Sequence, residues 1–340
     1  MQCRAFHPRA KVFFFALFAV LLLTLALVIL VAPRTAQAQP PGKVYQIGYI
    51  APGAGPSVLT ETFRQGLRDL GYVEGQNLAI EYRWTGRGER LAELMGELVG
   101  LKPDLIVTVS HRVSLVAKRA TSTIPIVFAA VNDPVGVGLV PSLAHPGGNV
   151  TGLSAQGLDL IAKRLELVKE LVPSAVRVAY LGNPEEPYSP VYLREAQDAA
   201  GGLGLEEVFA LEARTNDDFD AVFATLTARR PHALLVEPNS LNGSNRGRIM
   251  EFALANHLPT IYGLRSFVDA GGLVSYGPQM HAHFKRLASY VDKILRGTRP
   301  SNLPVEQPVK FELIINGKTA EALGLTIPPA LLMMADEVLK

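Results

Sequence analysis

From Val44 onward, short apolar runs alternate with longer segments whose apolar residues recur every three or four positions. No other feature limits the fold as strongly. Val44–Ile50, Leu78–Trp84, Asp104–Val109, Ile124–Ala130 and Asn149–Ser154 read as strands. Between them lie helical segments at Val58–Leu70 (Leu59, Phe63, Leu67, Leu70), at Leu91, Leu94, Leu98 and Leu101, and at Val113–Ala120. The pattern then restarts. Helices over Ile161–Leu171, Val191–Leu203, Phe219–Ala228 and Gly247–Asn256 interleave with strands over Val176–Leu181, Glu207–Leu211, Ala233–Val236 and Thr260–Tyr262. Asn216, Asp217 and Asp218 are expected to cap the helix that begins at Phe219. Apolar strands alternating with amphipathic helices imply parallel sheets covered on both faces.

The expected class is therefore α/β, with two doubly wound parallel-sheet lobes. The tail supplies a strand over Gly272–Gly277, a helix over His281–Leu295, a strand over Val309–Ile315 and a short helix over Thr319–Leu323. These pieces are too few for a third core, so they are expected to complete the two lobes. The N-terminal lobe is expected to comprise 44–153 plus 275–302, and the C-terminal lobe 154–274 plus 303–330. Crossings near Ser154, Gly272 and Leu303 would form a multi-crossing hinge.

The first 38 residues read as a secretory signal peptide. Arg4, Arg9 and Lys11 precede an apolar run from Val12 to Ala32, and Ala36-Gln37-Ala38 supplies a small-residue exit. The run is also long enough to span a bilayer if cleavage fails. Residues 1–38 carry four of the 33 basic residues and none of the 31 acidic ones, which leaves the mature chain at 29 against 31. No basic patch survives to suggest nucleic acid. The single cysteine, Cys3, lies inside the signal, so disulfide and thiol chemistry are not expected in the mature chain.

In open parallel sheets ligands bind beyond the carboxyl ends of the strands. That rule selects Pro52 and Ser57 after the first strand, Ser110 and His111 after the third, and Asn132 and Asp133 after the fourth. From the second half it selects Asn183, Glu237, Asn239, Tyr262 and Arg265, with Ser154 and Tyr276 on the crossings. Ser110, Asn132 and Ser154 would supply hydrogen bonds, and His111 or Arg265 would meet a carboxylate. Glu237 or Asn239 would meet an amine, and Tyr262 and Tyr276 would form aromatic walls. Glu237→Ala is expected to weaken binding with little loss of stability.

Several features also have plainer readings. Gly53-Ala54-Gly55-Pro56-Ser57 lacks the third glycine and the lysine of phosphate loops, and reads as a tight turn with Ser57 capping a helix. Ser110-His111-Arg112 has no carboxylate partner placed by sequence, which favours a ligand contact or cap over nucleophilic catalysis. Asn132-Asp133-Pro134 fits a turn as well as a ligand contact. His281 and His283, two apart on a helix, diverge and are expected to be an exposed pair rather than metal ligands. Trp84 and Phe267 read as core or rim aromatics, and no metal or cofactor is expected.

Long stretches resemble a family of ABC-transporter substrate-binding proteins that includes tryptophan/tyrosine-type uptake proteins. They include Gln65-Gly66-Leu67-Arg68-Asp69-Leu70-Gly71-Tyr72, Asn132-Asp133-Pro134-Val135-Gly136 and, most distinctively, His145-Pro146-Gly147-Gly148-Asn149-Val150-Thr151-Gly152-Leu153-Ser154. Ala270-Gly271-Gly272-Leu273-Val274-Ser275-Tyr276-Gly277 and Lys310-Phe311-Glu312-Leu313-Ile314-Ile315-Asn316 continue the likeness. The resemblance implies a type I periplasmic binding-protein fold. It also implies a small organic solute, such as an aromatic amino acid or related acid, captured between the lobes and delivered to an ABC permease in the inner membrane. The receptor would be periplasmic, non-enzymatic, and a monomer or weak dimer. Two alternatives stand beside it: a hydrolase using Ser110 and His111 in the cleft, and a ligand-sensing partner of a signalling receptor.

Overall fold

A computed structural model describes residues 43–86, 90–155 and 157–340. The expected signal peptide, with Cys3 and the Val12–Ala32 run, lies outside the described residues. No helix among those described is long and apolar enough to cross a membrane.

The first lobe is built from β1 (Tyr45–Ala51), α1 (Val58–Asp69), β2 (Leu78–Trp84), α2 (Leu91–Gly100), β3 (Leu105–Val109), α3 (His111–Ala120), β4 (Ile126–Val131) and β5 (Val150–Ser154). Its five strands are all parallel, in the order β2-β1-β3-β4-β5. Side chains alternate across the sheet, so each strand feeds two cores. Ile47, Tyr49, Val107 and Val127 pack on one face, while Ile50, Ile106, Ile126 and Phe128 pack on the other with Leu98 and Val113. Each of these fully buried side chains stabilises the fold by about 1.5–3 kcal/mol relative to exposure.

The second lobe follows with α4 (Ile161–Leu171), β6 (Arg177–Gly182), α5 (Ser189–Gly202), β7 (Glu207–Glu212), α6 (Asp218–Arg229), β8 (Ala233–Val236), α7 (Ser240–Ser244), α8 (Arg246–Ala255), β9 (Thr260–Tyr262), α9 (Arg265–Asp269) and β10 (Val274–Pro278). The chain then forms α10 (Met280–Leu295), β11 (Phe311–Asn316), α11 (Gly317–Ala322), α12 (Pro329–Met334) and β12 (Glu337–Leu339). The second sheet has seven strands, ordered β12-β11-β10-β9-β8-β6-β7. The short α9, α12 and β12 carry no periodic signal long enough to read from sequence.

The tail contributes to both lobes. Helix α10 belongs to the first lobe, where Phe284, Leu287 and Val291 join its core. It lies tight on α1, because a Cβ on Gly66 would come within 2.8 Å of the Ala288 Cβ. Strand β10 pairs with β9 and β11, so the second crossing falls at Pro278–Met280 rather than near Gly272, and residues 275–278 belong to the second sheet. Leu303 and Val305 still pack in the first lobe. The third crossing therefore follows them, and the second sheet extends to Leu339 rather than ending at 330.

Strand β11 departs from the all-parallel expectation: it runs antiparallel to β10. Strand β10 runs toward the first lobe, and the chain returns from that lobe at the same end, with Pro278 opposite Phe311. A strand entering at that end has to run the other way. The crossing segments are laced together. The Ser154 amide donates to the Glu306 carbonyl (2.8 Å), and the Gln279 amide donates to the Lys310 carbonyl (3.0 Å).

Two local expectations are corrected. Asp217 makes no side-chain cap on α6. The Asp218 carboxylate instead accepts from the Arg214 and Thr215 amides and so organises the loop before the helix. His281 is exposed but His283 is buried. Its ring sits between α10 and the backbone of Leu153, and burial holds its pKa at about 4.

Candidate functional site

The carboxyl ends of β1, β3 and β4 face those of β6, β8 and β9 across a cleft. One part of it is a cavity of about 370 Å³ lined by Pro52, Ser110 and Arg112 from the first lobe and by Asn183, Glu186 and Asn216 from the second. Two strand ends on the first-lobe side hold non-glycine residues at positive φ: Ser110 (φ 85°) and Ala130 (φ 57°). Such backbone is costly, on the order of 1–3 kcal/mol per residue, and concentrates where a site dictates the local shape.

The first-lobe groups divide between the cleft and local structure. Ser110 begins α3 without a side-chain cap. His111 is 3 % exposed and accepts the Asn132 amide on Nε2 at 2.9 Å. The neutral ring therefore carries its proton on Nδ1. Burial holds its pKa down at about 3. With Nε2 occupied, His111 has no lone pair with which to activate Ser110, which removes the geometry a Ser-His hydrolase needs. The Ser154 hydroxyl donates to the Asn132 carbonyl at 3.2 Å. Asp133 accepts the Gly136 amide at 2.8 Å and shapes the following turn. Ser57 is committed to a capping box with Thr60 at the start of α1.

The second-lobe groups form a buried polar and aromatic floor. Glu237 is 1 % exposed and accepts from the Tyr180 hydroxyl (2.5 Å) and from Asn239 Nδ2 (2.9 Å). The Ser189 side chain and the Asn183 backbone also favour its charged form. Burial nevertheless pushes its carboxyl above the usual range. Glu237 is thus held by hydrogen bonds inside the second lobe. Asn239 in turn accepts the Asn242 amide and caps α7, while Asn183 accepts the Glu185 amide.

Neighbouring Glu186 is pushed up to about 7, chiefly by burial and then by the charge of Glu237, with Arg112 of the first lobe opposing. Tyr188 stacks on His111 and leans on Tyr192. A Cβ on Gly157, just past the first crossing, would overlap the Tyr192 hydroxyl and come within 2.7 Å of Asn132 Oδ1. That spot joins both lobes. Leu264 likewise packs against a core of each lobe.

Two residues expected in the cleft, Tyr262 and Arg265, are committed elsewhere. Tyr262 is 0 % exposed, inside the second-lobe core and stacked on Phe267 at 4.6 Å, so it is not a cleft wall. Arg265 is held in ion pairs with Asp269 (3.1 Å) and Glu337 (2.6 Å). Tyr276 contributes its carbonyl, which accepts from Arg164 Nε at 2.8 Å. Trp84 stacks on Tyr82 and meets Tyr49 as a rim aromatic.

Sequence reasoning passed over Arg164, Glu186, Tyr188 and Tyr192. Arg164 did leave a signal. It falls three residues after Ile161 and four before Val168, on the apolar stripe of α4 and not on its polar face.

Two doubly wound lobes meeting over a polar, aromatic-floored cleft define a bilobal solute-binding protein. The fold is that of type I periplasmic binding proteins. Residues 50–339 match the profile of the ABC transporter substrate binding protein family, and the chain belongs to that family. It is 30% identical over 264 residues to a tyrosine-binding protein of Clostridioides difficile (strain R20291), covering 77% of this chain and 75% of that one.

An ABC domain from Streptococcus pneumonia, in complex with L-Trp, superposes with a TM-score of 0.81 at 26% identity, over 87% of this chain and 99% of that one. A ligand-free, open substrate-binding protein from Clostridium difficile gives 0.64 at the same 26% identity, over 87% of this chain and 100% of its own. The chain superposes more closely on the tryptophan-bound neighbour than on the open one.

Proposed function

We propose that this protein is the extracytoplasmic receptor of an ABC importer for an aromatic amino acid. It captures the solute between its lobes and presents the closed form to a membrane permease. The observation that carries the reading is the ring pair His111–Tyr188, which joins the lobes at the cleft with centroids 4.1 Å apart. A cleft lined by aromatic and polar groups suits a ligand with a flat ring and a polar end. A ligand touching both lobes stabilises the closed state by its extra contacts there, which is how binding becomes a signal to the permease.

The C. difficile relative is named for tyrosine, and the S. pneumonia neighbour holds L-Trp. Both support an aromatic ligand here. The reading includes export by residues 1–38, a periplasmic location, a monomeric or weakly dimeric receptor, and binding without turnover. The occupied lone pair of His111 supports the last of these.

Calorimetric titration of solute-stripped protein tests the ligand. L-tyrosine or L-tryptophan should bind at micromolar or tighter affinity, while neutral sugars should not. Absence of heat with both amino acids would overturn the aromatic assignment. Native mass spectrometry of the protein purified from its own export route should show a mass beginning near Gln39 and a small co-purified solute.

A further inference from the structure

We propose that Arg164 anchors the carboxylate of the bound solute, so that the receptor selects an acid or amino acid over the corresponding amine or sugar. The inference rests on the solute-receptor reading and adds the group that recognises one end of the ligand.

Arg164 is 2 % exposed on the apolar stripe of α4, between Ile161 and Val168. Its guanidinium carries five donors and cannot shed its charge to escape burial. Its protein hydrogen bond runs from Nε to the Tyr276 carbonyl, and among the described residues it forms no ion pair. The neutral phenols of Tyr192, Tyr180 and Tyr276 lie around the guanidinium. A buried cation without an anion is expensive, and an incoming carboxylate would relieve it with a bidentate pair.

The surroundings are cut to admit the planar group. A Cβ on Gly263, at the end of β9, would come within 3.0 Å of an Arg164 terminal nitrogen. A Cβ on Gly277 in β10 would overlap the Gly263 carbonyl. Both glycines stand where parallel strands end, the side from which the second lobe faces the first.

A second unpaired group shares the place. The Tyr192 hydroxyl is buried with no hydrogen-bond partner among the described residues, and the charge of Arg164 acts on it. Through Gly157, that hydroxyl neighbours Asn132 Oδ1 of the first lobe. Beside the first crossing, Arg164 and Tyr192 thus offer a charged fork and a hydroxyl to one small anion. A mere pin for the Tyr276 carbonyl would need only a neutral donor.

The test is calorimetry on the full chain after solute stripping, with L-tyrosine, L-tryptophan, tyramine and tryptamine as probes. Wild type, Arg164→Gln and Arg164→Lys are compared. Wild type should prefer each acid over its amine by at least about 100-fold, the scale of a buried charge pair losing one partner. Arg164→Gln should bring that ratio close to one, and Arg164→Lys, with charge but no fork, should lower it about tenfold. Ligand-free Arg164→Gln should melt no lower than wild type, because an unpaired buried charge has been removed.

An unchanged acid-to-amine ratio in either variant, or a wild type that binds tyramine as tightly as tyrosine, overturns the proposal. If none of the four probes binds wild type, the aromatic assignment fails separately. Melting in acetate, phosphate and chloride at equal ionic strength then decides the anchor. A rise with acetate in wild type and Arg164→Lys, absent in Arg164→Gln, upholds it. Equal responses in all three proteins, or a response to phosphate alone, overturn it.

Discussion

The imidazole of His111 and the phenol of Tyr188 stack with their planes inclined by 30°. One ring opens α3 of the first lobe, and the other immediately precedes α5 of the second. Their contact bridges the lobes, so opening the cleft would break it. His111→Ala should remove an aromatic contact of about 0.5–1.5 kcal/mol from the closed state alone. Ligand affinity should fall roughly three- to tenfold, and small-angle scattering of the ligand-free protein should show a larger radius of gyration. Unchanged scattering and affinity would remove this pair from the closure mechanism.

The same histidine sets part of the acid stability. His111 and His283 hold pKa values of about 3 and about 4, each lowered from 6.5 by burial. In that interval the unfolded chain binds protons that the folded chain refuses. Stability should therefore be complete above about pH 6.5 and fall as pH drops toward 4, by at most about 1.4 kcal/mol per pH unit for each ring. Urea unfolding of His111→Gln and His283→Gln between pH 4.5 and 7.5 should give shallower slopes than wild type, each removing about half of the dependence.

Glu186 acts with the opposite sign. Its pKa is raised from 4.5 to about 7 by burial and by Glu237, so the folded protein holds a proton that the unfolded chain releases. Its contribution is full below about pH 4.5 and is lost as pH rises toward 7. Glu186→Gln should be neutral at pH 5 and stabilising at pH 8 in denaturant titrations. Equal effects at both pH values would show that the carboxyl is not held neutral by the shut cleft.

Gly157→Ala should jam the cleft without unfolding either lobe. The added methyl group would occupy the space of the Tyr192 hydroxyl and crowd Asn132 Oδ1. Overpacking of this kind costs about 1–3 kcal/mol, here charged to the closed arrangement. Ligand affinity should drop about tenfold or more, while the far-ultraviolet circular dichroism spectrum stays that of wild type.

Glu237→Ala should destabilise the second lobe rather than merely weaken binding. Removing the carboxylate leaves the Tyr180 hydroxyl and the Asn239 amide without their acceptor in the interior. Each orphaned group costs about 1–3 kcal/mol, so the total should reach at least about 2 kcal/mol. A melting temperature within a degree or two of wild type would contradict this.

Local chain chemistry determined the building blocks. Strands Leu78–Trp84 and Ala233–Val236 and helix Ile161–Leu171 stand where their apolar spacing predicts them, because that spacing is read by the backbone within a few residues. The strand-end rule selected loops that include Ser110 and Asn183, both of which line the cavity between the lobes.

Only the tertiary structure decided what each polar group does. Glu237 and Arg164 are both charged residues in apolar surroundings. Glu237 is bonded by Tyr180 and Asn239, whereas Arg164 has a single hydrogen-bond acceptor among the described residues, and that difference lies in partners 2 to 112 residues away. Tyr262, which looked like a cleft wall, turned inward onto Phe267 because a buried strand has two covered faces. The direction of β11 depends on the chain's re-entry from the other lobe. Periodicity specifies which face of an element is buried. The partners it meets there depend on how distant segments pack.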